Sequence, residues 1–196
     1  MIFVNGQQQQ QPRVIGVGPI QKPLHIVVGV DKSGGFGKDG KIPWYFPEDL
    51  KHFKATTEDG ICIMGRKTYE DMLEMVKARQ KKKKKVTKLL PKRHCIVLTR
   101  QEGYEAEGAD VASSLIDAIT NIPEDDKRKI FVIGGEKLFI EALPFVSTIH
   151  MTIVEDDYDC DRFFPLEYLT KKFQPVDGKR GENEKLMFLT YQRTVK

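Results

Sequence analysis

The chain lacks any apolar run near the roughly 20 residues of a membrane-spanning helix, which excludes such a helix within it. Cysteine is scarce and odd in number: Cys62, Cys95 and Cys160. No Cys-x-x-Cys or His-x-x-x-His spacing occurs, which argues against a metal site. Cys62 in "ICIM" and Cys95 in "HCIVL" read as small buried thiols of a reducing compartment, with a disulfide as the weaker alternative. Long repeats are missing, so solenoids and propellers are excluded. No acid precedes Asp31, and only Arg13 and Lys22 are basic ahead of the first apolar segment. That faintly resembles an organelle transit peptide. A secretory signal is argued against, because no apolar core leads to a small-residue cleavage site. A cytoplasmic protein is the expectation. Residues 1–22, with "NGQQQQQP", read as a low-complexity extension ahead of one domain over 23–196.

Charge is uneven. Residues 77–93, "KARQKKKKKVTKLLPKR", hold ten Lys and Arg and no acid. The formal net charge is +4, so subtracting those ten leaves −6 for the rest. Such a run could make sequence-blind phosphate contacts. However, no aromatic lies between Gln80 and Arg93 to stack on bases, so a solvated loop is favoured over a nucleic-acid site.

Apolar residues make up 40% of the 196, enough to build a single core. "LHIVVGV", "GICIMG" and "RHCIVLTR" are continuous β-branched runs, expected as strands buried on both faces. "PEDLKHFKATT" (47–57) and "RKTYEDMLEMVKA" (66–78) read as helices, the first with Pro at its start and acids in its first turn. "DVASSLIDAITNI" (110–122) reads as strand into helix with Ser113 or Ser114 as N-cap. "KIFVIGGEKLFIEAL" (129–143) reads as strand, Gly-Gly turn, helix. "STIHMTIV" adds a strand, and "KFQPV" with "LMFLTYQR" a closing pair. The expected class is α/β: one mostly parallel mixed sheet, an antiparallel C-terminal hairpin and helices on both faces. Ligands of such sheets bind beyond the carboxyl ends of the strands.

Three stretches there carry chemistry. Gly134 and Gly135 let backbone amides approach an anion, although a tight turn alone would also require them. Arg66 and Lys67 open a helix whose dipole they oppose; a bound anion would reverse that cost. With Thr99 and Arg100 they suit a phosphate monoester. Asp49 follows Trp44, the single tryptophan, and precedes the apolar positions Leu50 and Phe53. Asp49 and Phe53 stand at i and i+4, so they share a face, while Glu48 points about 100° away. A carboxylate on an apolar face needs a partner; a flat heterocycle presenting an amino group beside a ring N–H would supply one. Thr152 could donate a supporting hydroxyl bond.

These stretches together resemble dihydrofolate reductase. The ordered motifs are "IVVGVD", "GFGKDGKIPW", "PEDLKHFK", "MGRKTYE", "LPKRHCIVLTR", "FVIGGEKLF", "TIHMTIV" and "DRFFP", and with the closing hairpin they cover 24–194. The resemblance implies reduction of 7,8-dihydrofolate to tetrahydrofolate with NADPH, and antifolate inhibitors as further ligands. It implies that Asp49, Trp44 and Thr152 serve the pterin. Val27, Val28, Phe53, Met72, Leu90 and Ile133 would wall the folate pocket, and Arg93 would take the glutamate α-carboxylate. Cofactor contacts would come from Gly29, Phe36, Gly37, Lys38 and Ile42, the loop 31–44 closing over the nicotinamide. They would continue through Gly65, Arg66, Lys67, Thr68, Leu98, Thr99, Arg100 and Ser113, and through Ile133, Gly134, Gly135, Glu136, Lys137, Leu138 and Phe139. No metal is implied. Gly34-Gly35 lengthen the closing loop, which resembles protozoan members, and 73–88 is a lysine-rich insertion. Protozoan members are often fused to thymidylate synthase, a domain this sequence does not contain. A fold-sharing reductase of riboflavin synthesis is the alternative, against which the Trp44–Asp49 pairing and Arg93 argue.

Overall fold

The structure, a computed structural model, describes residues 22–79 and 88–194. The proposed extension, Lys22 apart, and residues 80–87 with the five consecutive lysines therefore lie outside the described residues. Apolar β-branched runs form the strands β1 (Leu24–Asp31), β3 (Ile61–Gly65), β4 (His94–Leu98), β6 (Ile130–Val132) and β7 (Val146–Val154). Short β5 (Asp110–Ala112) and the closing β9 (Phe173–Arg180) and β10 (Leu186–Arg193) complete one eight-stranded sheet. Its order is β5-β4-β3-β6-β1-β7-β10-β9. Every pairing from β5 to β7 is parallel, and β10 pairs antiparallel with both β7 and β9. The α/β class and the antiparallel addition are as the sequence pattern implies.

Strand alternation divides the core. One face of β1, with Leu24, Ile26, Val28 and Val30, packs with helices α3 (Leu115–Thr120), α4 (Glu136–Ala142) and α5 (Leu166–Lys172). Val27 faces the other way, with Met64, Tyr69, Leu90 and Val97, towards α1 (Pro47–Thr57) and α2 (Arg66–Arg79). Ser114 caps α3 by accepting the Asp117 N–H, while Ser113 binds the Asp117 carboxylate. Elements not anticipated include α5 and the two short strands β2 (Gly35–Gly37) and β8 (Arg162–Phe163), which pair antiparallel apart from the main sheet.

Cys62 and Cys95 are free, buried and neighbours in the β3–β4 ladder. Burial raises both thiols, that of Cys62 to about 12, so neither is poised as a nucleophile.

Beneath α1 lies a histidine layer. His25 on β1 stacks on His150 of β7 at 5.6 Å and leans on Phe131. Burial, then His150 and Lys129, lowers His25 to about 4. The folded protein therefore excludes a proton that the unfolded chain accepts below about pH 6.5. Stability contributed by neutral His25 is complete above pH 6.5 and is lost as pH falls towards 4. The loss should be on the order of 2 kcal/mol after allowance for residual hydration. Denaturant unfolding of His25→Gln should show a flatter pH dependence in this window than wild type; parallel curves would refute the assignment.

Candidate active site

The site begins where β1 and β7 lie side by side. Their register sets Gly29 opposite Thr152. A Cβ at Gly29 would lie 3.6 Å from the Trp44 ring and 3.7 Å from Asp49 Oδ2, so both side chains close over this glycine. The Thr152 hydroxyl stands close enough to Asp49 to favour its charged form. Burial raises the Asp49 carboxyl above its ordinary range, and Thr152 offsets part of that rise. The chain approaches α1 through Trp44, which packs on Tyr158 at 5.1 Å and against Val154, Leu186 and Phe188. Pro47 then starts the helix, with no side-chain cap.

Val27, Phe53, Met72, Leu90 and Ile133, the residues expected to wall the folate pocket, come from five segments: β1, α1, α2, the turn before β4 and the residue after β6. All join one apolar cluster on the α1–α2 side. Val28 does not; its side chain belongs to the opposite core because neighbouring strand residues alternate. Leu50 is 40% exposed rather than packed in an apolar stripe. Arg93 is buried beside this wall, and its Nε and Nη1 have no hydrogen-bond partner.

Glu48 does more than offset the helix dipole. Its carboxylate accepts the N–H groups of Glu182 and Asn183 at 2.8 and 2.9 Å, which ties α1 to the β9–β10 loop. These bonds hold its carboxyl below the usual range. The sequence phase placed it away from Asp49 but gave no sign of this distant partner.

A second region lies at the carboxyl ends of β3, β4, β5 and β6. The Gly65 N–H donates to Gly134 O at 2.9 Å. The Gly134–Gly135 peptide is cis. A Cβ on Gly134 would lie 3.2 Å from the Thr68 methyl, and one on Gly135 3.4 Å from the Thr68 hydroxyl. Three glycines thus keep a bare backbone surface over the start of α2. Leu98 ends β4, with Thr99 next and Arg100 exposed beyond it, and Ser113 follows the end of β5. Lys67 is exposed, but Arg66 is held by Glu70 at 2.8 Å and lies over the Tyr104 ring. Arg66 is therefore not the free cation its position suggested. Leu138 and Phe139 are buried in the opposite core, so their side chains do not reach this surface. Glu136 pairs with Arg162 at 3.7 Å, and Lys137 is exposed.

The loop 31–44 connects the two regions. Gly35 and Gly37 lie in β2, Phe36 packs edge-on against Phe139, and Lys38 pairs with Asp159 at 2.8 Å. Ile42 is 63% exposed.

A bare glycine surface at strand ends, on a sheet that also carries a half-buried acid beside an apolar cluster, suits an α/β enzyme that brings a nucleotide cofactor to a flat substrate. Comparison with known proteins narrows this class. The family profile of dihydrofolate reductase matches residues 23–194. "Dihydrofolate reductase type 3" of Salmonella typhimurium is 30% identical over 177 residues, covering 87% of this chain and 99% of that protein. The bifunctional dihydrofolate reductase-thymidylate synthase of Daucus carota is 35% identical over 162 residues, covering 74% of this chain and 29% of that protein. Among solved structures, Enterococcus faecalis dihydrofolate reductase complexed with NADP(H) and RAB-propyl superposes with a TM-score of 0.71 at 30% identity, covering 88% of this chain and 97% of that one. The chain belongs to the dihydrofolate reductase family. These relatives are bacterial and plant proteins and do not establish the expected protozoan kinship.

Proposed function

We propose that Asp49 holds the pterin of dihydrofolate and that the glycine surface of Gly65, Gly134 and Gly135 holds the pyrophosphate of NADPH. The protein is an NADPH-dependent dihydrofolate reductase that forms tetrahydrofolate for one-carbon metabolism and thymidylate synthesis. The observation that carries the pterin assignment is the half-buried Asp49 carboxylate, which closes over Gly29 beside Trp44 with the Thr152 hydroxyl close by.

Burial without a counter-cation leaves Asp49 one good use: accepting two parallel N–H bonds from a flat heterocycle. Thr152 and Trp44 fix its orientation. Antifolates presenting a similar donor pair compete for it. The cofactor residues fit, since side chains at Gly134 and Gly135 would close the surface against Thr68. NADPH supplies the hydride when bound. Asp49 polarises the pterin so that its ring nitrogen accepts a proton from water, and the fixed cleft supplies orientation. The loop 31–44 excludes bulk water from the pair of rings. Lys67, Thr99 and Arg100 are the remaining candidates for the extra phosphate of the cofactor, Arg66 joining them by exchanging Glu70 for it. Free buried thiols support the cytoplasm as its compartment. Mixing the protein with NADPH and dihydrofolate should deplete cofactor absorbance rapidly; no depletion would end this reading.

A further inference from the structure

On the α3 side of the sheet lies a separate cleft of about 490 Å³. Its lining includes Ile61, His94 and Asp110, which begin β3, β4 and β5. The cleft therefore opens at the amino ends of these parallel strands, away from the glycine surface at their carboxyl ends. Ile61, Ile96, Ala112, Ala118 and Ile122 line it, all buried members of the α3-side core. Val111, on the edge strand β5, lines it too and is 41% exposed. The polar side chains of the rim are matched to one another. His94 meets Asp110 at 3.0 Å, Arg128 meets Asp126 at 2.6 Å, and the Asn121 amide donates to Asp117 at 3.1 Å. A charged ligand would find little left to recognise it, whereas an apolar occupant fits the floor.

Lys22 brings one such occupant to the rim. It is the first described residue, and its Nζ donates to the carbonyls of Pro123 and Asp126, both of which line the cleft. Directly ahead of it in the sequence stand residues 14–20 of "VIGVGPIQK", with no charged side chain among them. Fully extended, that stretch reaches about 24 Å, more than enough to cross a cleft of this size. We propose that residues 14–20 dock in this cleft of their own chain, with Lys22 as the anchor and Val17 and Ile20 against the apolar floor. Charge agrees with this placement. Residues 1–21 hold no acid and one base, Arg13, while the turn that Lys22 grips holds Glu124, Asp125 and Asp126. The tether supplies an effective concentration of about millimolar, so modest apolar contact suffices. The docked segment also shields Val111 on an edge strand that would otherwise be open to other chains.

Hydrogen exchange of the full chain tests this. In the double variant Val17→Asp with Ile20→Asp, amides of 110–112 and 115–122 should exchange at least about tenfold faster than in wild type, while β1 and β7 keep their rates. Val111→Asp, which alters the cleft rather than the segment, should reproduce the change. A photoreactive phenylalanine analogue in place of Val17 should cross-link within its own chain to residues of 110–128. Equal exchange in wild type and the double variant overturns the proposal, and so does a cross-link confined to other parts of the chain. Cross-links joining two chains, or protection that grows with protein concentration, would assign the cleft to a second copy and overturn docking within one chain. Where Val111→Asp does not fold, the double variant decides, because its substitutions lie outside the core described above.

Discussion

Asp49→Asn should lose about 100- to 1,000-fold of kcat at pH 7, equivalent to about 3–4 kcal/mol of transition-state stabilisation. Asparagine fills the same space but has a single acceptor oxygen, so it cannot take two parallel N–H bonds, and its own NH2 would face one of the heterocycle's donors. The loss should fall on kcat and kcat/KM together, because the carboxylate's attraction grows as the pterin becomes protonated. Stability should move the other way. Asp49 has its carboxyl raised by burial, so between the unfolded value of 3.8 and the folded one the native state holds a proton that the unfolded state releases. Stability from this residue therefore declines as pH rises through that window, and at neutral pH the charged form opposes folding. The ligand-free Asp49→Asn protein should be at least as heat-stable as wild type at pH 7 and should lose that advantage near pH 4. Unchanged turnover in the variant would disprove the assigned role, and a large drop in melting temperature would disprove the electrostatic account. Sites of this kind trade stability for activity.

What the sequence revealed about this acid was local. Pro47 sets the start of α1, and 3.6-residue periodicity then separates Glu48 from Asp49 and pairs Asp49 with Phe53. The strands were equally legible, because uninterrupted β-branched runs leave no other use in a chain of this size. Properties set by distant pairing were not. Glu48 finds its partners in the β9–β10 loop, and nothing near residue 48 encodes that. Asp31 read only as the first residue of a glycine-rich loop, although its buried carboxylate joins segments about 127 positions apart. β2 and β8 span three and two residues, too few to show a period.

Where family resemblance and strand phase disagreed, phase was the better guide to side chains. Val28 alternates with Val27 and must face the other layer once Val27 lines the cleft. Leu138 and Phe139 lie on the buried stripe of α4, which the apolar pattern of "EKLFIEA" already showed. Arg66 and Glu70 sit four residues apart, so their ion pair was available from spacing.

Arg93→Leu should raise the dissociation constant of dihydrofolate about 100-fold while leaving kcat at saturation within a few-fold of wild type. Arg93 is 8% exposed, yet its Nε and Nη1 meet no acceptor. It lines a cavity of about 270 Å³ with Asp59, Lys88, Lys92, His94 and Arg128. Lys92 is matched by Glu58 at 2.9 Å and Arg128 by Asp126 at 2.6 Å, which leaves the buried guanidinium as the ion in deficit. An arginine cannot escape by losing its proton. Its burial without a partner costs the ligand-free protein stability, and we propose that a carboxylate arriving with the substrate repays that cost as affinity. The binding loss should therefore coincide with an unchanged or higher melting temperature for the free variant, and with a smaller rise in melting temperature on adding dihydrofolate. A pterin substrate lacking the glutamate provides the internal control. Wild type and Arg93→Leu should turn it over with equal KM, since the missing carboxylate is the only group the arginine recognises. A tenfold difference between them on that truncated substrate would mean that Arg93 shapes the pterin end of the cleft instead.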